Sequence, residues 1–112
     1  MRALLVVVSM LAAGLAHADD REPAGRDLCA RGARHHGAPI DLDVRGADLH
    51  DVLRLIADVG HVNLVVPDDV AGKVTLKLLH VAWDAAACAV AAVHHLAITV
   101  DGNILLVTHA GR

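Results

Sequence analysis

A chain of 112 residues is long enough for one domain, and a formal net charge of −3, from 10 basic and 13 acidic side chains, argues against nucleic acid or anionic lipid as its main partner. Hydrophobic residues make up 55% of it, yet Phe and Tyr are absent and there is one Trp. The core must therefore be built from Val, Leu, Ile and Ala, with Trp83 as the single large exception.

The first segment, MRALLVVVSMLAAGLAHA, opens on Arg2, runs apolar from 3 to 16 and ends Ala16-His17-Ala18 before Asp19-Asp20. That is the pattern of a secretory signal peptide over 1–18, with cleavage expected between Ala18 and Asp19. The run falls short of the ~20 residues that span a bilayer. Loss of Arg2 makes the mature chain one charge more acidic, and no later segment is apolar for long enough to cross a membrane. Export also bears on Cys29 and Cys88, because exported proteins keep disulfides.

Residues 19–38 mix Asp, Arg, Gly, Ala and Pro without an apolar period and read as a flexible tail or linker. From 39 to 109 the texture is that of a folded domain. IDLDV (40–44) alternates apolar and polar residues, a strand with one buried face, and Arg45-Gly46 is expected to turn the chain. In DLHDVLRLIADVG (48–60), Leu49, Val52, Leu53, Ile56 and Val59 fall on one helix face, with His50, Arg54 and Asp58 on the wet side. Asp48 suits the N-cap, Asp51 the positive end of the helix dipole, and Gly60 the C′ position.

VNLVV (62–66) is a short apolar strand stopped by Pro67-Asp68-Asp69, and after Gly72 the run KVTLKLL (73–79) alternates again. WDAAACAVAAVHH (83–95) predicts a second helix started by Asp84; being apolar all round, it is expected to lie sandwiched between strands. LAITV (96–100) and NILLV (103–107) flank Asp101-Gly102, a hairpin signal. The order is β-α-β-β-α-β-β, a single small α+β domain.

Several of these stretches occur together, in order, in one known family. The alternating first strand, the helix ADLHDVLRLIA, the run NLVVPDDVAGKVTL, the helix-opening VAWD and the closing DGNILLV resemble the secretin and TonB short N-terminal domain. That module stands at the front of outer-membrane secretins, the type IV pilus secretin above all, and of signalling TonB-dependent receptors. The resemblance spans about Pro39 to Thr108, and Asp48, Leu49, Val52, Leu53, Gly72, Trp83 and Asp84 carry its structural signature. It implies two helices packed between two small sheets, and a non-catalytic module that docks a periplasmic or inner-membrane protein of a secretion, pilus or TonB-type complex. Location in the periplasm of a Gram-negative envelope, in some cases at the outer membrane, follows from it. The chain departs from the pattern at Ala82, where Pro often stands, and in the Ala content of its second helix. Ending at Arg112, it cannot build a channel alone, so a secretin fragment without function of its own is one alternative.

Chemistry has few residues to work with. The sole Ser is Ser9 in the leader and the sole Glu is Glu22, while Thr75, Thr99 and Thr108 sit at strand positions. No nucleophile stands beside a base and no glycine loop would cradle phosphate, so no catalytic residue, cofactor or small-molecule ligand is expected. The histidines are the rival signal: the pairs His35-His36 and His94-His95, with His50, His61, His80 and His109 scattered. Adjacent residues point in different directions and make no metal site alone. A small metal-binding protein using these pairs is the other alternative. Cys88 is read as a small buried residue or as the partner of Cys29 in a disulfide contributing ~2–4 kcal/mol; a free Cys88 with an intermolecular Cys29 is equally compatible. Trp83, between the third strand and the second helix, is read as covering the end of a core of small side chains.

Overall fold

The structure is a computed structural model describing residues 25–110. The leader, the Ala18–Asp19 junction and residues 19–24 lie outside the described residues. Eight elements follow in order: β1 (Arg26–Asp27), β2 (Pro39–Asp48), α1 (Leu49–Gly60), β3 (Asn63–Val65), β4 (Lys73–Ala82), α2 (Trp83–His94), β5 (Leu96–Asp101) and β6 (Ile104–His109). They form a four-stranded sheet ordered β1-β5-β6-β3 and a two-stranded sheet of β2 and β4. The two helices touch each other and strands of both sheets, so they lie between them. This is the α+β architecture expected from the order of elements.

Helix α1 forms where the apolar period predicts it. Leu49, Val52, Leu53, Ile56 and Ala57 are buried. The Asp48 carboxylate accepts from the His50 and Asp51 backbone N–H groups at 2.8 and 3.4 Å, satisfying donors that the helix itself leaves unpaired. His50 leaves the wet face assigned to it: its ring bonds the Val70 carbonyl, tying the 67–72 loop to α1. In α2 the buried face is Ala86, Ala87, Val90 and Ala91. These small side chains bring the helix close to its neighbours. The helix is covered on more than one side, by α1 and by strands of both sheets, while Ala89, Ala92 and Val93 face solvent.

The antiparallel β2–β4 pair is longer than alternation alone suggests, and Arg45-Gly46 does not turn the chain. It forms one of two bulges. Val44 faces Leu76 and Ala47 faces Val74, so Arg45 and Gly46 oppose Thr75 alone. Gly46 takes a positive φ of 60° and its N–H is held by Thr75 Oγ1 at 2.8 Å. On the other strand Leu79 and His80 oppose Asp41, whose carboxylate accepts from the His80 N–H at 2.6 Å. Each bulge is thus held by the side chain of the lone residue opposite. In the larger sheet β5 and β6 form the hairpin, and β3 lies parallel to β6 with Leu64 opposite Leu105. Leu49, Leu53, Ile56, Val70, Val90, Ile98, Leu105 and Val107 are fully buried between the layers.

Replacing the α1 cap tests this local account. Asp48→Ala is expected to lower stability by about 1 kcal/mol, read as a shift in urea midpoint at unchanged slope. An unchanged midpoint means that the two cap bonds do not contribute.

Candidate interaction site

Residues 25–38, which composition assigns to a linker, are packed against the domain. Arg26 and Asp27 pair with Val100 and Thr99 of β5, and the Leu28 N–H donates to the Ile98 carbonyl at 3.0 Å. The Leu28 side chain enters the core at 3% exposure. Cys29 is disulfide-bonded to Cys88 of α2, with the two Cα atoms 5.5 Å apart. Low hydrophobicity hid this segment, because one leucine, two strand residues and one covalent bond hold it.

The other end of the segment meets Trp83. The Trp83 N–H donates to the Ala38 carbonyl at 2.9 Å, and the Gly37 N–H donates to Asp84 Oδ1 at 3.2 Å. Asp84 is 9% exposed. Its carboxylate also accepts from the Ala85 N–H, so it secures the incoming segment as well as the first turn of α2. The indole lies against Gly37 and Gly60: a Cβ on Gly60 would sit 2.5 Å from Trp83 Cε2, and one on Gly37 would collide with the Nε1 edge. Gly60 is therefore required for close approach, and the left-handed residue that ends α1 is His61, at φ 55° and ψ 40°. His95 ends α2 in the same way. Trp83 joins the end of α1, the start of α2 and the N-terminal segment.

The remaining signature residues support this frame. Leu49, Val52 and Leu53 fill the core, and the Gly72 carbonyl accepts from the Leu49 N–H at 2.9 Å while its Cα faces the His94 ring. The histidines are dispersed among separate tasks. His61, His80 and His95 take positive φ, a conformation in which His is enriched. His35 bonds the Leu28 carbonyl at 3.0 Å and His109 approaches Asp69 at 3.4 Å. Among the described residues no group of three His, Cys, Asp or Glu side chains is placed to hold a metal ion. No helix of the described residues is long and apolar enough to cross a membrane.

One surface feature was not legible in the sequence. Val65 of β3 lies beside Leu106 of β6, with Ile104 two residues before it on the same face. All three are 39–49% exposed, and they border the outer edge of β3, where the four-stranded sheet ends. Strand alternation predicts which residues share a face; only the parallel β3–β6 pairing shows that these three adjoin.

The arrangement of helices and sheets has a counterpart among solved structures. The structure superimposes on the N0 domain of the type II secretin from enterotoxigenic Escherichia coli with a TM-score of 0.58, covering 65% of this chain and 96% of that one at 13% identity. In sequence, the chain is 40% identical over 74 residues to the fimbrial assembly protein PilQ of Pseudomonas aeruginosa, covering 66% of this chain. It is 35% identical over 69 residues to the type IV pilus biogenesis and competence protein PilQ of Neisseria gonorrhoeae, covering 62% of this chain. The folded part of this chain is a secretin N-terminal domain, homologous to the PilQ secretins. It matches 10% of the length of either PilQ protein. No family model matches the sequence.

A double-mutant cycle tests the packing of Trp83. Gly60→Ala is expected to destabilise by about 1–3 kcal/mol through overpacking. In a Trp83→Ala background the same change should be neutral or mildly stabilising, since Ala is the better helix former. Additive effects in urea denaturation would remove the indole from the helix terminus.

Proposed function

We propose that this chain is a non-catalytic, periplasmic protein-docking module of a secretin-type envelope machine, exported by the leader over 1–18. Its partner on this reading is a periplasmic or inner-membrane protein of a secretion or pilus complex. The observation that carries the reading is the 40% identity to a fimbrial assembly protein over 74 residues. That similarity also favours a pilus or secretin setting over the TonB-type receptors that share the resemblance. The chemistry of the chain agrees: Ser9 and Glu22 are its only Ser and Glu, and the described histidines with assigned contacts meet backbone carbonyls, a loop carboxylate or, for His35, also the Cys88 sulfur.

The surface best suited to docking is the outer edge of β3 with the adjoining Val65, Ile104 and Leu106. An extended segment of the partner adds main-chain hydrogen bonds at such an edge and places alternate side chains over the apolar strip. Site-specific photo-crosslinking from Asn63, exposed on β3, tests this in envelope preparations of cells expressing the protein. Crosslinks to a pilus, secretin or secretion component are expected, and Val65→Lys should weaken capture about tenfold, or about 1.4 kcal/mol, at unchanged stability. Capture of none of these components would refute the reading.

A further inference from the structure

The segment 25–38 is attached at two ends that differ in kind. At 37–38 it is bound through the backbone of Trp83 and the buried Asp84 carboxylate. At 26–29 it is held by the two-residue strand β1, the Leu28 N–H bond to Ile98, one buried leucine and the Cys29–Cys88 disulfide. Between them Ala30, Arg31, Gly32, Arg34 and His36 are exposed. Ordering such a stretch is opposed by backbone entropy, and few contacts at the far end offset it without the covalent link.

The two sulfurs have different surroundings. Cys29 lies in a turn, and its own N–H is bonded to the Asp27 carboxylate at 3.0 Å. Cys88 Sγ lies 3.7 Å from Nε2 of His35. That nitrogen also lies 3.0 Å from the Leu28 carbonyl, an acceptor, so it carries the ring proton. A proton donor beside one sulfur favours its departure as thiolate, whereas a neighbouring carboxylate disfavours it.

We propose that the Cys29–Cys88 disulfide is a thiol-labile clasp latching residues 25–36 over α2 and the outer edge of β5, with Cys29 the sulfur attacked and Cys88 the departing thiolate. The reductant is a thiol. Its thiolate bonds to Cys29 Sγ as the Cys29–Cys88 bond breaks, and the electron pair stays on Cys88, which takes a proton. A second reductant thiolate then attacks the mixed disulfide and frees Cys29. The protein disulfide is thereby reduced by two electrons while two reductant thiols become one disulfide. Release of β1 opens β5 from Ile98 to Val100 to another extended strand, a consequence that rests on the docking reading above.

The experiment treats the oxidised protein with glutathione at fixed pH, quenches with acid, and maps the mixed disulfide by mass spectrometry. Hydrogen–deuterium exchange is followed in parallel before and after full reduction. The expected adduct is on Cys29. His35→Ala should slow reduction about threefold by removing the donor beside the departing sulfur, and His35→Gln, which keeps an N–H donor, should recover most of it. Reduction should raise exchange in 26–34 and along β5 by about tenfold or more while α1 and β6 keep their protection. An adduct mainly on Cys88, unchanged protection of 26–34, or loss of protection in α1 and β6 together with the segment would each overturn the proposal. None of these readouts uses a partner, so they separate the clasp from the docking reading.

Discussion

The indole of Trp83 fills a slot that stays open only because residues 37 and 60 lack side chains. The rest of the domain depends on that contact. Helix α2 buries Ala86, Ala87, Val90 and Ala91, small groups that allow close packing but leave little apolar bulk at the helix end. One large side chain at the β4–α2 junction supplies it, and does so against the end of α1 and the backbone of the N-terminal segment at once. A Leu or Val there would reach one of these neighbours; the flat, extended indole reaches both. This explains why a chain without Phe or Tyr retains one Trp at that position.

The same junction makes the N-terminal segment part of the domain. Its inner end is bound at Trp83 and Asp84, and its outer end is carried by Cys29 to the middle of α2 and by β1 to the edge of β5. The four-stranded sheet therefore has unlike ends. One is capped by the chain's own N-terminal residues under covalent control. The other, β3, is short and bordered by Val65, Ile104 and Leu106. Within that sheet, the docking proposed above is therefore assigned to the β3 end, since β1 covers the outer edge of β5.

The parts of the fold legible in the sequence were those set by local rules. The period of Leu49, Val52, Leu53 and Ile56 fixes α1, and Asp48 fixes its start. Alternation fixes the strands, and Asp101-Gly102 marks the hairpin. What escaped depends on residues far apart in the chain. Gly60 looked like a helix terminator because glycine commonly is one, but the chain uses His61 for that and reserves Gly60 for Trp83. Arg45-Gly46 looked like a turn, and only the pairing of β2 with β4 shows a bulge. The hydrophilic run 25–38 carries its ordering in Leu28, Cys29 and two backbone bonds, too little for composition to register. The histidines offered metal binding only as an alternative by number, and their spacing did not show that His61, His80 and His95 take positive φ.

Trp83 ties the N-terminal segment and both helices into one cooperative unit. Because it is the sole aromatic residue, its fluorescence reports on that junction alone, and far-UV circular dichroism reports on the helices and sheets. Urea unfolding of the oxidised protein followed by both signals is the direct measurement. Coincident transitions with equal midpoints and slopes are predicted. A fluorescence transition at lower urea, complete before secondary structure is lost, would contradict the account by showing that the junction opens on its own.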